Sequence, residues 1–461
     1  MTLKSPSERG NWTSKLGFVL AAAGSAVGLG NIWAFPNQVA QNGGAAFLFV
    51  YILCCFVVGF PVMVAELSIG RRTRKDPVGA FRELSGGSRL MPLIGFWGVL
   101  CGVMILAFYN VVAGWTLGYV FEEIFHFLGS DRLTGLLADL SNGHKNAFFS
   151  VLFMSATVGI VVGGVSGGIE RATKTMMPTL IGILLVMIGY VLTLPGSSEG
   201  LTVYLRPDFS RIDTQLVFSA MGQAFFSLSL GMGAMITYGS YLGRDQNLPA
   251  AAAYVTLADL SIAFLAGFLI MPAMFVAQNQ GIEILDAQGA LVSSTGLVFN
   301  VLPHLFHTLG TVLGVLAGVL FFLLLGIAAL TSTISLLEVP VSYFIDEHGV
   351  SRRRAAVGIG LAIGLLSLVI SYKTSLIAVL LNIFNNIGLP LGGLMICLFL
   401  GYCWKTERAL REMRDGYSGV DDGLFSRMWP FFIRFICPVL IAIVLVTSAL
   451  PVLGPLLGAL F

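Results

Sequence analysis

The chain has 461 residues, 56% of them apolar and only 11% charged, with a formal net charge of +2 and a mean hydropathy of +0.87. Soluble domains carry about 25% charged residues, so this composition excludes a water-soluble globule and describes a polytopic membrane protein. The charge balance gives no sign of a nucleic-acid partner, and no basic patch interleaved with aromatic residues occurs.

Residues 1–15 are polar and read as a cytoplasmic tail, with no small-residue cleavage site that would mark a removable signal. Apolar runs long enough to cross a bilayer follow near 16–41, 45–70, 92–127, 148–165, 175–194, 215–241, 249–276, 310–343, 355–371, 375–403 and 431–450, eleven in all. Several exceed the roughly 20 residues a bilayer needs and must tilt or extend beyond it. With the N-terminus inside, 21 of the 26 Lys and Arg fall on the cytoplasmic side and five (Arg132, Lys145, Arg206, Arg211, Lys373) outside. The positive-inside rule therefore puts the N-terminus in and the C-terminus out. Cys54, Cys55, Cys101, Cys397, Cys403 and Cys437 lie in or at the ends of apolar runs, and without a CxxC or Cys/His cluster they read as free thiols.

Three connections are long enough for structure of their own: outer 195–214, outer 277–309, and cytoplasmic 404–430, which reads as a solvated amphipathic connector. In the second, GLVFNVLPHLFH has the look of a short helix dipping toward the protein. His304 and His307 lie three apart and can share a helix face, but no third ligand stands near them, which argues against a metal site.

Two runs are built to break. Residues 18–36, FVLAAAGSAVGLGNIWAFP, gather Gly24, Ser25, Gly28, Gly30 and Asn31 in mid-span and end in Pro36. Residues 220–246, AMGQAFFSLSLGMGAMITYGSYLGRDQ, put Ser227, Ser229, Gly231 and Gly233 at the same depth. A broken helix is tolerated in hydrocarbon only where the freed N–H and C=O groups are buried in protein or line a wet cavity. Each run is followed by four more. The chain therefore divides into a five-span repeat (16–194) and a second, inverted one (215–403), joined by 195–214 and followed by 404–430 and a last span with the C-terminus, 431–461. Half-helix N-termini expose N–H groups of positive partial charge, and those of Leu29 and Gly30 are placed to meet a carboxylate.

These segments resemble the neurotransmitter:sodium symporter family, whose bacterial members include eleven-span chains with the LeuT fold. The likeness rests on GSAVGLGNIW and FP in span one and QAFFSLSLGMGAMITYGSY and DQ in span six. It is extended by Glu66-x-x-x-Gly70-Arg71 in span two, Tyr109 and GWTLGY in span three, and ALTSTISLLEVP in span eight. It covers nearly the whole chain, from Trp12 to about Arg434. The resemblance implies an all-α 5+5 inverted repeat with broken helices one and six, and a Na⁺-coupled symporter of a bacterial inner membrane.

It implies a substrate carboxylate held by the Leu29 and Gly30 N–H groups and the Tyr109 hydroxyl, with Ala26, Gly28 and Ser227 close by. The side-chain pocket would be lined by Ser25, Ile105, Phe226, Ser229, Met232, Ser332 and Leu336. Gly28 stands where monoamine-carrying relatives have an aspartate, which favours an amino acid, and the apolar lining favours a hydrophobic one. Two Na⁺ sites are implied: Ala26, Asn31, Ser227 and Asp259 for the first, and Gly24, Val27, Ala328, Thr331 and Ser332 for the second. On sequence alone Thr331 and Ser332 equally suit helix back-bonding hydroxyls. The gates would comprise Tyr109 over Phe226 outside, and Arg9, Trp12 and Tyr241 with Asp346 or Glu347 inside. Gly168 and Pro178 carry the Gly-x9-Pro spacing that marks, in bacterial relatives, where span five unwinds.

Two positions depart from the family pattern. Ala34 and, by alignment, Asn382 replace the usual charged outer gate, so both charges are gone together. Asp259 stands where the family commonly has asparagine. A mid-membrane acid is costly and is a functional hypothesis by default; it is expected to supply fixed charge beside the first Na⁺ and make transport chloride-independent. Two rivals remain: a proton-coupled transporter of the same fold with Asp259 or Glu66 as carrier, and an intramembrane enzyme. The second lacks a nucleophile–base pair or metal cluster at mid-depth, so no catalytic residue is assigned.

Overall fold

The structure is a computed structural model that describes residues 10–282, 284, 297–308, 310–416 and 423–458. Among these residues every regular element is helical. That follows from the solvent: hydrocarbon offers no hydrogen-bond partners, so a spanning backbone must satisfy itself within one helix.

Nine helices are long and apolar enough to cross a membrane: Ala45–Thr73, Pro92–Phe127, Gly143–Val162, Val165–Val191, Leu248–Asn279, Val312–His348, Arg352–Tyr372, Ser375–Arg414 and Leu424–Leu450. A tenth forms from Lys15–Ala26 and Gly30–Gln41, bent by 52° where residues 27–28 leave the helix. The sixth expected span is two shorter helices, Thr214–Ser227 and Ala234–Gly239, with 228–233 between them. Neither piece is long enough to cross alone, which is why the count by length and apolarity stops at ten and not the eleven read from composition.

Several helices outrun their apolar runs, and two sequence expectations change. The span-ten helix continues past residue 403 to Arg414, turning at Lys405, whose φ is +72°. Its charged end is not simply solvated: Glu412 is buried and pairs with buried Arg71 of the second span at 3.0 Å. Span five is wound at its Gly-x9-Pro segment in this conformation. Gly168 lies in a wide turn, Val165–Glu170, and Pro178 sits inside the continuous helix that follows. A Cβ at Gly168 would lie 2.0 Å from the Ile160 carbonyl, so its glycine has a packing reason as well. The outer segment does form a short helix, Leu302–Thr308.

Span two anchors the short half of span six. A Cβ at Gly70 would meet the Ile236 carbonyl at 2.0 Å, and one at Gly239 the Leu67 carbonyl at 2.8 Å. The backbones touch because both positions lack side chains.

After span two, Pro77–Leu84 is capped by Asp76, which accepts from the N–H groups of Val78 and Gly79 at 2.8 and 3.2 Å. Burial first, and then the neighbouring charge of Asp346, push the Asp76 carboxyl from its ordinary 3.8 up to about 7. The folded state then holds a proton that the unfolded chain has released, across the window from about 4 to 7. This contribution to stability is present at the acid end and is lost as pH rises through 7. The melting temperature of the detergent-solubilised protein is expected to fall between about pH 4 and pH 7 and to level off above that. Asp76→Asn, which keeps a capping oxygen, should flatten most of that slope; an unchanged profile would refute the assignment.

Candidate functional site

The two breaks face each other, and side chains of span six satisfy carbonyls that span one has freed. Val27 leaves the helix with φ −74° and ψ 108°. Across the gap Ser229, Gly231 and Gly233 adopt φ of +54°, +81° and +77°. The Ser229 hydroxyl donates to the Ser25 carbonyl at 2.9 Å, and Gln223 Nε2 to the Gly30 carbonyl at 2.8 Å. Glu66 of span two accepts the Gly231 N–H at 2.8 Å.

Between the breaks lies a small, closely lined cavity with about 20 Å³ of free volume. Eleven of the thirteen expected substrate-site residues line it: Ser25, Ala26, Gly28, Gly30, Ile105, Tyr109, Phe226, Ser229, Met232, Ser332 and Leu336. The other two stand just behind. The Leu29 N–H donates to the Tyr109 hydroxyl at 2.9 Å, and Ser227 belongs to a polar cluster on one flank. Ile105, Met232 and Leu336 give the cavity buried apolar walls. The Ser25 hydroxyl is buried and has no hydrogen-bond partner among the described residues. Both expected outer-gate rings border the cavity, and Phe226 packs so close to Gly30 that a Cβ there would meet its ring at 3.0 Å.

The residues assigned to the first ion site converge. Asn31 Nδ2 lies 3.0 Å from Ser227 Oγ and 2.7 Å from Asp259 Oδ1, and Ser227 donates to Asp259 at 2.8 Å. Asn31 Oδ1 accepts the Gly28 N–H at 3.0 Å, fixing the amide against the break. Tyr51 completes the group, its hydroxyl 3.1 Å from Ser227 and 3.3 Å from Asp259. Neither Tyr51 nor Gln223 carries a role in the sequence reading: a tyrosine in an apolar span and a glutamine inside a helix give no signal until the fold aims them.

The second set converges as well. Thr331 Oγ1 lies 3.2 Å from the Val27 carbonyl and 2.9 Å from that of Ala328. Ser332 Oγ lies 3.4 Å from the carbonyls of Ser25, Val27 and Ala328. Gly24 abuts them, since a Cβ there would be 3.3 Å from Thr331. Carbonyl, hydroxyl and carboxylate oxygens are hard donors, the chemistry that suits Na⁺ over a transition metal.

At the N-terminal end of span one, Trp12 Nε1 donates to the Tyr238 carbonyl at 3.1 Å, and its ring packs 6.2 Å from that of Tyr241. The Tyr241 hydroxyl donates to buried Glu338 at 2.7 Å, and Glu338 pairs with Arg352. Of the two acids expected at this gate, Asp346 accepts the Asp76 N–H at 2.7 Å, while Glu347 pairs with Arg82. Arg9 lies outside the described residues. On the outer side, Asn382 is exposed, and its amide oxygen accepts from Asn386 at 2.9 Å.

A helical bundle with two facing breaks around an enclosed cavity is the architecture of a secondary transporter. The chain belongs to the Sodium:neurotransmitter symporter family, whose model matches residues 9–133 and 137–456. The crystal structure of MhsT in complex with L-phenylalanine superposes with a TM-score of 0.83 at 41% identity, covering 95% of this chain and 100% of that one. The sodium-dependent transporter YhdH of Bacillus subtilis is 34% identical over 94% of this chain and 96% of its own. A sodium-dependent transporter of Haemophilus influenzae is 32% identical over 96% and 98%. The chain is thus a sodium-dependent membrane transporter of the LeuT fold and not an enzyme.

A Cβ at Gly28 would lie 2.4 Å from Ser332 Oγ and 2.7 Å from the Tyr109 hydroxyl. Gly28→Ala is therefore expected to weaken substrate binding about ten- to a hundredfold, the 1–3 kcal/mol of an overfilled site. Unchanged affinity in equilibrium binding would mean that the cavity does not hold the substrate.

Proposed function

We propose that this transporter is a Na⁺-coupled symporter for hydrophobic amino acids, working by alternating access in a bacterial plasma membrane with its N-terminus inside. The observation that carries the reading is the enclosed apolar cavity flanked by two clusters of oxygen donors, with the Leu29 N–H and Tyr109 hydroxyl at one end. A zwitterion fits this division. Its carboxylate meets the helix terminus and Tyr109, and its apolar side chain lies among Ile105, Met232 and Leu336. The complex of MhsT with L-phenylalanine supports the same substrate class.

Two Na⁺ would bind, one in the Asn31–Ser227–Asp259 cluster with the Ala26 carbonyl, the other among Gly24, Val27, Ala328, Thr331 and Ser332. The substrate carboxylate adds a ligand to the first ion, so each binds better in the presence of the other. A membrane potential of −100 mV contributes about 2.3 kcal/mol per net charge moved inward. Release would follow when the contacts around Trp12, Tyr241 and the acids beneath them part.

Scintillation-proximity binding of radiolabelled leucine, methionine, tyrosine and tryptophan, in Na⁺ and in K⁺, tests the class. Binding of one or more in Na⁺ alone is the expected result; binding indifferent to Na⁺ would remove both ion sites. Asp259 brings the negative charge that a chloride ion would otherwise supply. Na⁺-driven uptake is therefore expected to survive replacement of chloride by gluconate. Asp259→Asn should raise the Na⁺ concentration for half-saturation about tenfold or more, the loss of a charged partner at a buried polar site. Abolition of wild-type uptake without chloride would overturn this assignment. Abolition by an uncoupler under a maintained Na⁺ gradient would instead favour proton coupling.

A further inference from the structure

Away from the transport site, the fold gathers a second polar cluster. Glu122 and Glu123 lie near the end of the third span, and His307 lies on the short helix Leu302–Thr308. One potential ligand atom from each stands within 4.8 Å of the other two, with His307 Nε2 3.2 Å from Glu123 Oε2. Both glutamates are buried, and among the described residues Glu122 Oε2 and Glu123 Oε1 have no hydrogen-bond partner. A Cβ at Gly318 would lie 2.3 Å from Glu123 Cδ, so span eight leaves the space that this carboxylate fills. The His126 ring stacks on that of His307 at 3.7 Å. Lys145 is the other cation near Glu122, and its ammonium donates to the Leu137 carbonyl at 3.0 Å.

Two adjacent buried carboxylates facing one imidazole leave negative charge and open acceptor capacity in a poorly solvated place. A divalent cation satisfies both. Mixed carboxylate and imidazole donors suit Zn²⁺ or Mn²⁺, whereas Mg²⁺ and Na⁺ favour oxygen alone. His307, 24% exposed, provides the way in. The segment it belongs to lies over the bundle. Phe299, in the turn Leu297–Val301, packs its ring 6.1 Å from Trp33 of span one, 5.7 Å from Trp115 and 5.3 Å from Tyr119 of span three.

We propose that Glu122, Glu123 and His307 form a binding site for a divalent transition-metal ion, with Zn²⁺ as its type, which fastens this outer segment to span three. Metal bound there holds the outer side closed and slows transport, a consequence that rests on the alternating-access reading. The binding itself does not.

The test is isothermal titration of the purified full-length protein with Zn²⁺, Mn²⁺ and Mg²⁺, beside Na⁺-driven uptake in proteoliposomes with Zn²⁺ outside. One Zn²⁺ per chain is expected, with Mg²⁺ weaker. His307→Ala, at a partly exposed position, and near-isosteric Glu122→Gln should each weaken Zn²⁺ at least about tenfold, and external Zn²⁺ should inhibit uptake by the wild type but not by His307→Ala. Absence of Zn²⁺ binding, or equal binding by wild type and both variants, would overturn the site and leave a plain His–Glu ion pair. Site-dependent binding without inhibition would overturn the closure. Because titration needs no transport, failure of the symporter reading would appear separately, as absent Na⁺-driven uptake without metal.

Discussion

An interrupted helix inside hydrocarbon must find partners for the N–H and C=O groups it frees, and here side chains of span six supply partners for carbonyls of span one. Ser229 reaches the Ser25 carbonyl, Gln223 reaches the Gly30 carbonyl, and Asn31 turns back to the Gly28 N–H. Glu66 and Tyr109 close the account from spans two and three. An unmet backbone group in such surroundings costs several kcal/mol. The break in span one therefore depends on span six, and the break in span six leans on Glu66 of span two. The cavity is the space left between two helices that are obliged to stay opposite one another.

The polar clusters on its flanks follow from the same requirement. Carbonyls that no longer serve a helix, such as that of Val27, turn toward the hydroxyls of Thr331 and Ser332. Asp259 is held by Asn31, Ser227 and Tyr51 from three other spans. A carboxylate so encircled ties the helices in register, and under the proposed function the same cluster receives a monovalent cation. Recognition and architecture thus share atoms, and removing one damages the other.

Much of this was legible in the sequence because it is local. Apolar length marks most spans, and glycines beside serines in mid-span mark the breaks. The ion-site residues on spans one, six, seven and eight came from family resemblance and meet in space. What stayed hidden depends on which face of one helix meets which face of another. Tyr51 reads as an ordinary apolar-span aromatic until it approaches Asp259, 208 residues away. Glu412 reads as one charge in a solvated connector until Arg71 meets it in the interior. His307 lacks a further ligand along the chain, yet Glu123, 184 residues earlier, lies against it. The sixth span shows the reverse: its break was plain, but its shortness as two pieces was not.

The interruptions differ mechanically. Three residues of span six sit in the left-handed region, Ser229 among them without glycine's freedom, and no right-handed helix accommodates them. A Cβ at Gly231 would fall 2.2 Å from the Leu389 carbonyl, so span ten braces the same elbow. In span one only ordinary dihedrals are used: Val27 is extended, and Leu29, at φ −59° and ψ −22°, is already helical. Winding and unwinding there costs hydrogen bonds but no steric violation. Span six behaves as a welded joint and span one as a sprung one, so the slack in any cycle of this molecule is taken up by its first helix.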